Sequence, residues 1–368
     1  MSFVHLHLHT QYSLLDGANK IGKLIPQVKA LGMPAVAMTD HGNMFGAIEF
    51  YKTCVANAVQ PIIGCEVYMA PRSRLERGIQ QRTDDYEAGG NFHMILLAMN
   101  MEGYRNLCKM VSLAYQEGFY FKPRIDKELL RQFNGGIIAT SGCLSGEVNR
   151  AFAADNYAKG RELAIEYLKI FGDRYYLEIQ DNHIPVQNKC NQMLKELGKD
   201  LGIPLLATND CHYLTKEDAR AHEVLLCIQT GKTLNDPNRW KFDTDQLYVK
   251  GIEDLREAFK DVPEAIENTL QVAKRCDLEF KNHDYEFPAY KTDPGETLDQ
   301  RLDKAARIGL EERLAAGCGI SKDPVTGDAA KPYWDRLEFE LASITKLQFA
   351  GYFLIVSDFI TWAKGQGI

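Results

Sequence analysis

Residues 3–9 of the chain read FVHLHLH, a run in which histidine alternates with apolar residues. This alternation is typical of a β-strand, because successive side chains of a strand point to opposite faces. His5, His7 and His9 therefore share one face of the predicted strand, with about 7 Å between neighbours. His7 and His9, at the carboxyl end, can chelate one cation, whereas His5 is predicted to lie deeper, in the interior. The run thus predicts a strand that carries a metal site.

Short β-rich runs recur along the first two thirds of the chain and alternate with helical patterns. Further strands are predicted at 35–39, 62–69, 92–98, 136–140, 175–180 and 204–208, and helical connections at 43–57, 102–115, 158–171 and 186–200. This alternation indicates βα units around a mostly parallel sheet. Together with the strand at 3–9, the pattern predicts a seven-stranded α/β barrel, one strand short of the eight-stranded form.

Two places depart from this pattern. Residues 70–91 contain several arginines and glycines and little helical signal, so we expect a hairpin there, with strand 92–98 antiparallel to strand 62–69. Pro26 interrupts the amphipathic pattern of residues 21–31. Proline is tolerated in the first turn of a helix, so the helix either starts near Leu24 or kinks at Pro26.

The character of the chain changes after about residue 275. Residues 285–300, YEFPAYKTDPGETLDQ, have the composition of a linker, and helical patterns at 296–315 and 333–349 and an apolar stretch at 351–363 follow. We therefore predict a barrel domain at 1–280 and an α-rich second part at 281–368. Because the chain stops at Ile368 without a polar tail, we expect it to be part of a larger protein.

Composition excludes several classes of protein. The 368 residues are 45% apolar and 25% charged, which excludes a disordered chain, and no apolar run reaches the ~20 residues of a membrane span. The start lacks a secretion signal, and nine scattered cysteines indicate reduced thiols, so a cytoplasmic location is expected. A net charge of −7 implies that any polyanion is met by a local basic patch or by bound cations.

Metal-ligating residue types recur at the ends of the predicted strands. They are Asp16 after the first strand, Asp40 and His41 after the second, Glu66 in the third, Cys143 after the fifth, and Asp210 and His212 after the seventh. His93 starts its strand, so it reaches the same rim only if that strand is antiparallel. Active sites of such barrels lie at the carboxyl rim of the strands. Singly, Cys143 could be a small buried residue and Asp16 a turn former, but the cluster is more specific than its members.

Imidazole, carboxylate and thiolate ligands together favour Zn, Mn or Fe over Mg or Ca. These donors exceed the need of one tetrahedral ion, so two or three ions are predicted, with Glu66 or Asp210 as the bridging, catalytic carboxylate. Closely spaced divalent ions activate water and clamp the oxygens of a displacement reaction. A phosphate ester is the substrate class that needs such a clamp.

The runs FVHLHLHTQYSLLDGA, AVAMTDHGNMFG, IIGCEVYMAPRS, TSGCLSGE and LLATNDCHYL resemble the PHP (polymerase and histidinol phosphatase) domain that opens bacterial replicative DNA polymerase III alpha subunits, the C family. GFYFKPRID and GYFLIVSDFITWAKGQGI resemble segments of the same family, the latter the start of its palm domain. The resemblance implies a distorted seven-stranded barrel of PHP type, a truncated palm, and a role in DNA replication.

The resemblance also implies a trinuclear metal site. The nine ligand positions of the family correspond to His7, His9, Asp16, His41, Glu66, His93, Cys143, Asp210 and His212, and none departs from the pattern. It implies one ion at His7, His9, Glu66 and Asp210, a second at Glu66, His93 and Cys143, and a third at Asp16, His41 and His212. The family's nucleotide-binding loop and paired aspartates are absent from the sequence, so we expect no nucleotide incorporation.

The first functional hypothesis is a metal-dependent 3′–5′ exonuclease that proofreads DNA ends. Arg72 and Arg74, in the basic loop 72–82, are predicted to contact the DNA backbone. Implied partners are the DNA 3′ end, other replicase subunits, a separate exonuclease and the sliding clamp. One alternative is a metal-stabilised scaffold that docks that separate exonuclease, and another is a small-molecule phosphatase of the histidinol phosphatase branch.

The sequence also predicts places for four residues outside the predicted ligand set. His183 is expected in a surface loop on the rim side, with contact to substrate as the alternative, and His222 is expected to be packed or capping in a helix. His283 is expected to be solvated, and Cys211 to point away from Asp210 and His212 because it alternates with them.

Overall fold

In the computed structural model, residues 2–14, 16–77, 90–281, 288–317 and 323–368 are described, and they form two compact units, one ending at Phe280 and one from Lys281 to Ile368. The strands are β1 (Ala35–Met38), β2 (Gln60–Met69), β3 (Phe92–Ala98), β4 (Arg124–Ile125), β5 (Ile137–Thr140), β6 (Tyr175–Gln180) and β7 (Leu205–Thr208).

The helices of the first unit lie between and after these strands. They are α1 (Ile21–Ala30), α2 (Ala47–Ala56), α3 (Met101–Gln116), α4 (Lys127–Phe133), α5 (Glu147–Ala153), α6 (Tyr157–Phe171), α7 (Pro185–Leu201), α8 (Ala219–Thr230), α9 (Ile252–Ala258) and α10 (Pro263–Arg275). Short 3-10 turns occur at Gly172–Arg174 and Lys216–Asp218.

The strands form one curled, mixed sheet in the order β1-β2-β3-β5-β6-β7, with β4 paired to β2. Strand β3 is antiparallel to both β2 and β5, whereas the remaining pairs are parallel. The predicted antiparallel pairing of β2 and β3 is therefore confirmed, whereas residues 78–89 of the predicted hairpin lie outside the described residues. The amino end of β3 lies at the rim where its neighbours end. With helices outside the sheet, this is the distorted α/β barrel of PHP type predicted from the sequence.

The segment 3–10 differs from the predicted regular strand. It makes single bridges at Leu8 and Thr10, yet it links the two ends of the sheet. On the β1 side, His5 O accepts from Ala37 N and Leu8 O from Thr39 N, so a step of two residues in and just after β1 faces a step of three in this segment. On the other side, His7 O accepts from Cys211 N and His9 N donates to Cys211 O. The extra residue breaks the ladder as a bulge does, which explains the irregular strand.

Two apolar clusters hold the first unit together. The larger lies between the sheet and its helices, and the smaller fills the barrel with side chains from every part of the sheet, such as Val4, Ala35 and Ile62. Val272 and Ala273 of α10 belong to the smaller cluster, so α10 covers the end of the barrel where the parallel strands begin. The opposite end, where those strands stop, is left for polar residues.

Helix α1 corrects one prediction. It begins at Ile21, whose N–H donates to Gln11 Oε1 over 3.0 Å, so Pro26 lies in the second turn instead of the first. Pro26 is on the exposed face, where the carbonyl group that loses its helical partner remains open to water.

The second unit contains α11 (Leu298–Ala315), a 3-10 turn (Gly327–Ala329), α12 (Lys331–Lys346) and α13 (Ala350–Gly365). Its small core consists of Leu302, Leu341, Ala350 and Leu354. Among the described residues, no single helix is long and apolar enough to cross a membrane; residues 327–346 and 350–365 reach that length only together, across a bend of 117°.

Candidate metal centre

The nine predicted ligand residues come from different elements and meet at one rim of the barrel. His7 and His9 lie in the bridging segment, His41 follows β1, Glu66 lies within β2 and His93 near the start of β3. Because β3 runs against its neighbours, its first residues reach the rim where β1 and β2 end. The backbone just after His41 is closely packed. Gly42 has a φ of +62°, and a Cβ on this residue would lie 2.8 Å from Pro123.

Glu66 is at the centre of the cluster. Its carboxylate is buried, and Oε2 lies 3.2 Å from His9 Nε2 and 2.8 Å from His41 Nδ1. On the other side, Oε1 lies 2.9 Å from His93 Nδ1 and 3.5 Å from His7 Nε2. The thiol of Cys143 is 3.8 Å from the same Oε1. One carboxylate therefore touches five of the other predicted ligands.

Two further carboxylates join the remaining imidazoles. Asp210 Oδ1 lies 3.1 Å from Nε2 of both His7 and His9, and 3.4 Å from Nδ1 of His212. Asp16 Oδ2 lies 3.2 Å from His41 Nε2 and 3.7 Å from His212 Nε2. The structure thus brings all nine residues into one connected cluster.

Within the described ranges, three sets of donor atoms are mutually close enough to hold an ion. They are His7, His9 and Glu66; His41, Glu66 and His93; and His9, His41 and His212, each with its donor atoms within 4.8 Å of one another. The first set lies within the four-residue group implied for one ion. The other two combine residues that the resemblance divides between ions.

The donor atoms fit bound metal ions. Six buried donor atoms have no hydrogen-bond partner among the described residues: His7 Nε2, His9 Nε2, His41 Nδ1, Asp16 Oδ1, Glu66 Oε2 and Asp210 Oδ1. Each such group costs about 1–3 kcal/mol if it stays unsatisfied. Metal–ligand bonds of about 2.0–2.2 Å separate two ligands of one ion by about 3.0–3.5 Å, close to the spacings between these atoms. The donor set therefore supports divalent metal binding.

The cluster also shifts pKa values in the sense expected of opposite charges in close contact. Burial alone would lower the pKa of His7, but the charges of Asp210, Glu178 and Glu66 outweigh it and hold that pKa well above its usual range. Burial alone would raise the pKa of Glu66, but His93, His41 and His7 hold it well below its usual range. The carboxyl groups are therefore ionised and available as ligands.

A second layer of polar groups orients the two histidines of the bridging segment. Glu178 Oε1, on β6, lies 2.7 Å from His7 Nδ1, so the ring presents Nε2 to the cluster. For His9, Ser13 Oγ donates to Asp40 and lies 2.9 Å from His9 Nδ1, so Nδ1 carries the proton and Nε2 again faces the cluster. Hydrogen-bonded partners of this kind fix the orientation of metal-ligating imidazoles.

Sequence reasoning missed Glu178 and gave Asp40 no role of its own. The available signal for Glu178 was a charged residue inside the apolar run YYLEIQ, predicted to be a strand. Its carboxylate accepts from Thr208 Oγ1 (2.6 Å), Gln180 Nε2 (2.9 Å) and Thr140 Oγ1. A charge buried in a strand needs such partners.

Other histidines and Cys211 lie outside the cluster. Cys211 points away from the donors as predicted, with its Sγ 3.4 Å from His5 Nδ1. His5 corrects the prediction of one shared face: its neighbours Val4 and Leu6 belong to the cluster that fills the barrel, so its ring lies on the other side of the segment, buried with Nε2 3.1 Å from Lys250 O. His222 is packed, as expected, with Nε2 2.7 Å from Asp16 O. His183 lies in the loop between β6 and α7, and His283 lies outside the described residues.

The two arginines predicted to contact DNA are placed differently. Arg74 is mostly buried, and its guanidinium pairs with Glu117 (2.7 Å), Asp126 (3.1 Å) and Glu128 (3.1 Å). Arg72 is exposed and pairs with Glu76 four residues along the chain. No ion pair or hydrogen bond joins either arginine to the metal-binding cluster within the described residues. The predicted loop 72–82 is itself described only to residue 77.

A lysine that was not predicted lies beside the cluster instead. The ring of Tyr68 stacks on His41 and meets His93 edge-on, with centroids 5.8 and 5.2 Å away. Lys122 Nζ lies 5.3 Å from the centre of the same Tyr68 ring. Burial lowers the pKa of Lys122, while Asp16 opposes that change. In the described part of the chain no carboxylate forms an ion pair with Lys122, so this cation remains available at the rim.

Comparison with known proteins gives two matching family models. The PHP domain matches residues 5–182, and the bacterial DNA polymerase III alpha NTPase domain matches residues 300–368. Among curated proteins, the chain is 40% identical to a DNA polymerase III subunit alpha of Thermus aquaticus and 42% identical to that of Treponema pallidum, in both cases over the whole chain. The chain covers 34% and 30% of these relatives, so it spans about a third of their length.

Among solved structures, an amidohydrolase from Chromobacterium violaceum is 12% identical and superposes with a TM-score of 0.37. That match covers 57% of this chain and 88% of the other.

Proposed function

Because the chain belongs to the bacterial DNA polymerase III alpha family and carries its PHP domain, we propose that it hydrolyses phosphodiesters with divalent metals, removing nucleotides from DNA 3′ ends. The observation that carries the proposal is the set of six buried donor atoms around Glu66 and Asp210 that find no hydrogen-bond partner in the described part of the chain. Zn, Mn or Fe in two or three positions would satisfy them. The nine residues of the cluster are the proposed ligands.

Divalent ions held there would lower the pKa of a water molecule and neutralise charge on a phosphate. The chain supplies the rest of the chemistry. Glu66 and Asp210 each touch several ligands, so they are the proposed bridging carboxylates. Glu178 and Ser13 keep protons on Nδ1 of His7 and His9, which leaves both Nε2 atoms facing the cluster. Lys122 offers an ammonium group to a non-bridging phosphate oxygen at the rim.

We also propose a wider role for this chain, based on the family to which it belongs. We propose that it acts in cytoplasmic DNA replication with DNA and other replicase subunits as partners. A separate exonuclease and the sliding clamp are among the proposed partners. We propose no nucleotide incorporation by this chain, because its sequence lacks the nucleotide-binding loop and paired aspartates expected of the palm.

Elemental analysis together with digestion of 3′-labelled DNA tests the nuclease proposal. The wild-type chain should bind two or three metal ions and shorten the DNA from its 3′ end. His9→Ala and Asp210→Ala should each lose cleavage by at least about a hundredfold, because each removes a ligand. Asp200→Ala is the matched control, since Asp200 is exposed and pairs only with Arg161 at the surface of the described structure.

The alternatives give different results in the same experiment. Full metal loading without cleavage of DNA would contradict the nuclease and favour the scaffold that docks a separate exonuclease. Rapid hydrolysis of a small phosphomonoester without cleavage of DNA would favour the phosphatase branch.

A further inference from the structure

A cavity of about 620 Å³ lies beside the metal-binding cluster in the first unit. Helix α8 and the segment 241–245 form its walls, and the lining residues include His183, Tyr213, Arg220, His222 and Phe242. Its volume is within the range of about 300–1,000 Å³ that is typical of small-molecule sites. None of the roles described so far uses this cavity.

Aromatic rings connect the cavity to the metal-binding cluster. The ring centroid of Phe242 is 5.2 Å from that of His212, a proposed ligand, and 5.7 Å from that of His222. On the other side, Trp240 lies 5.3 Å from Phe242 and is 41% exposed. A group bound against Phe242 is therefore only one side chain away from the proposed metal ligands.

The charged side chains of the walls are engaged in ion pairs. Arg220 pairs with Glu223 and Lys241 with Asp243 at 3.5 Å, while Asp245 pairs at 3.4 Å with Lys216, which lies outside the lining. Paired charges leave a weak field, so the cavity offers little to a free anion. The ligand that matches an aromatic wall with balanced charge is a flat, neutral ring system.

We propose that this cavity binds the nucleoside part of a nucleotide whose phosphate lies at the metal-binding cluster, with the base stacked on Phe242. This inference rests on the proposed phosphodiesterase function and names the part of the substrate that the cavity receives. A base stacks on any aromatic face, so such a site takes all four bases and does not read sequence. Stacking on one aromatic side chain contributes about tenfold or more to affinity.

The test measures binding without relying on hydrolysis. The chain loaded with Zn²⁺ is titrated into 2-aminopurine deoxynucleoside 5′-monophosphate, and the fluorescence of the base is followed. Phe242→Leu, which keeps an apolar contact with His212, should raise the Kd about tenfold or more, whereas Phe242→Tyr should stay within about twofold of wild type. Phe339→Leu, an exposed aromatic residue of the second unit, is the matched control.

Inorganic phosphate is the second probe, and Phe242→Leu should bind it as tightly as wild type does. The proposal is overturned if Phe242→Leu keeps the wild-type Kd for the nucleotide, if the wild type does not bind it, or if affinity for phosphate falls equally. A chain that binds the nucleotide through Phe242 but leaves DNA intact would contradict the nuclease and support the cavity. A chain that cleaves DNA with nucleotide binding unchanged in Phe242→Leu would contradict the cavity alone.

Discussion

Glu178 Oε1 and His7 Nδ1 lie 2.7 Å apart, and both side chains are fully buried. The contact joins β6 to the segment that links the two ends of the sheet. It turns Nε2 of His7 toward Asp210 and Glu66. The carboxylate therefore acts on the metal-binding cluster through an imidazole, without being one of the predicted ligands.

Replacing Glu178 with Gln should weaken metal binding by about 10- to 100-fold while the fold remains intact. An amide retains the shape but not the charge that favours a proton on Nδ1. Competition with a chromogenic chelator measures the affinity, and circular dichroism checks the fold. Glu196→Gln, on the exposed face of α7, is the control. Unchanged metal affinity in Glu178→Gln would show that the contact is only structural.

Replacing Lys122 with Met should raise the KM for DNA about tenfold, because a charge-assisted hydrogen bond to phosphate is worth about 1.5–3 kcal/mol. The slope of log affinity against log salt should also fall by about 0.7 for a single strand. Lys122→Arg should recover most of the loss, and Lys109→Met, exposed on α3, should have no effect. A wild-type salt slope in Lys122→Met would rule out the phosphate contact.

Arg74→Ala should destabilise the first unit by about 3 kcal/mol, because it leaves buried Asp126 without its guanidinium partner. Arg72→Ala should change stability by less than about 0.5 kcal/mol, since its pair with Glu76 is exposed. Urea unfolding of the two variants measures the difference. Equal stabilities would mean that the ion pairs of Arg74 contribute nothing.

His5 should make stability depend on pH between about 6.5 and 4. Burial lowers its pKa from 6.5 to about 4 in the folded chain. The unfolded chain therefore takes up a proton first as the pH falls, and folding loses up to about 3 kcal/mol over that interval. Above pH 6.5 the residue is neutral in both states and adds no slope.

Urea unfolding of wild type and His5→Gln, both in EDTA, checks this dependence. Glutamine is neutral at every pH, so the difference in unfolding free energy between the two proteins should shrink as the pH falls from 6.5 to 4. A constant difference would mean that His5 is not the titrating group.

The features that could be predicted from the sequence are those that follow from a regular period. Three local signals indicated a barrel with a polar rim: the alternation around His7, the position of His41 after a strand, and Glu66 within a strand. Each of them can be recognised from neighbouring residues alone. The arginine-rich segment before β3 has little helical signal, and this predicted that β3 runs antiparallel to β2. That direction brings His93 to Glu66, a contact across 27 residues that no local pattern contains.

The features that could not be predicted depend on partners far apart in sequence. Lys122 approaches Tyr68 because β4, which begins two residues later, pairs with β2 at Tyr68. Glu178 matters only through His7. Arg74 lies in a basic stretch of the sequence and was predicted to contact DNA. Its guanidinium instead pairs with three carboxylates that lie more than 40 residues further along the chain. The extra residue in the segment 3–10 also leaves no trace in the alternation of histidine and leucine.

The segment that joins the two ends of the sheet has a consequence for synthesis on the ribosome. His7 and His9 emerge first, but Asp210 and Cys211, which they contact, follow about two hundred residues later. At about 5–20 residues per second, the segment that carries His7 and His9 waits on the order of 10 to 40 s for these contacts. During that interval the sheet is incomplete, and chaperones that bind nascent chains can shield its unpaired strands.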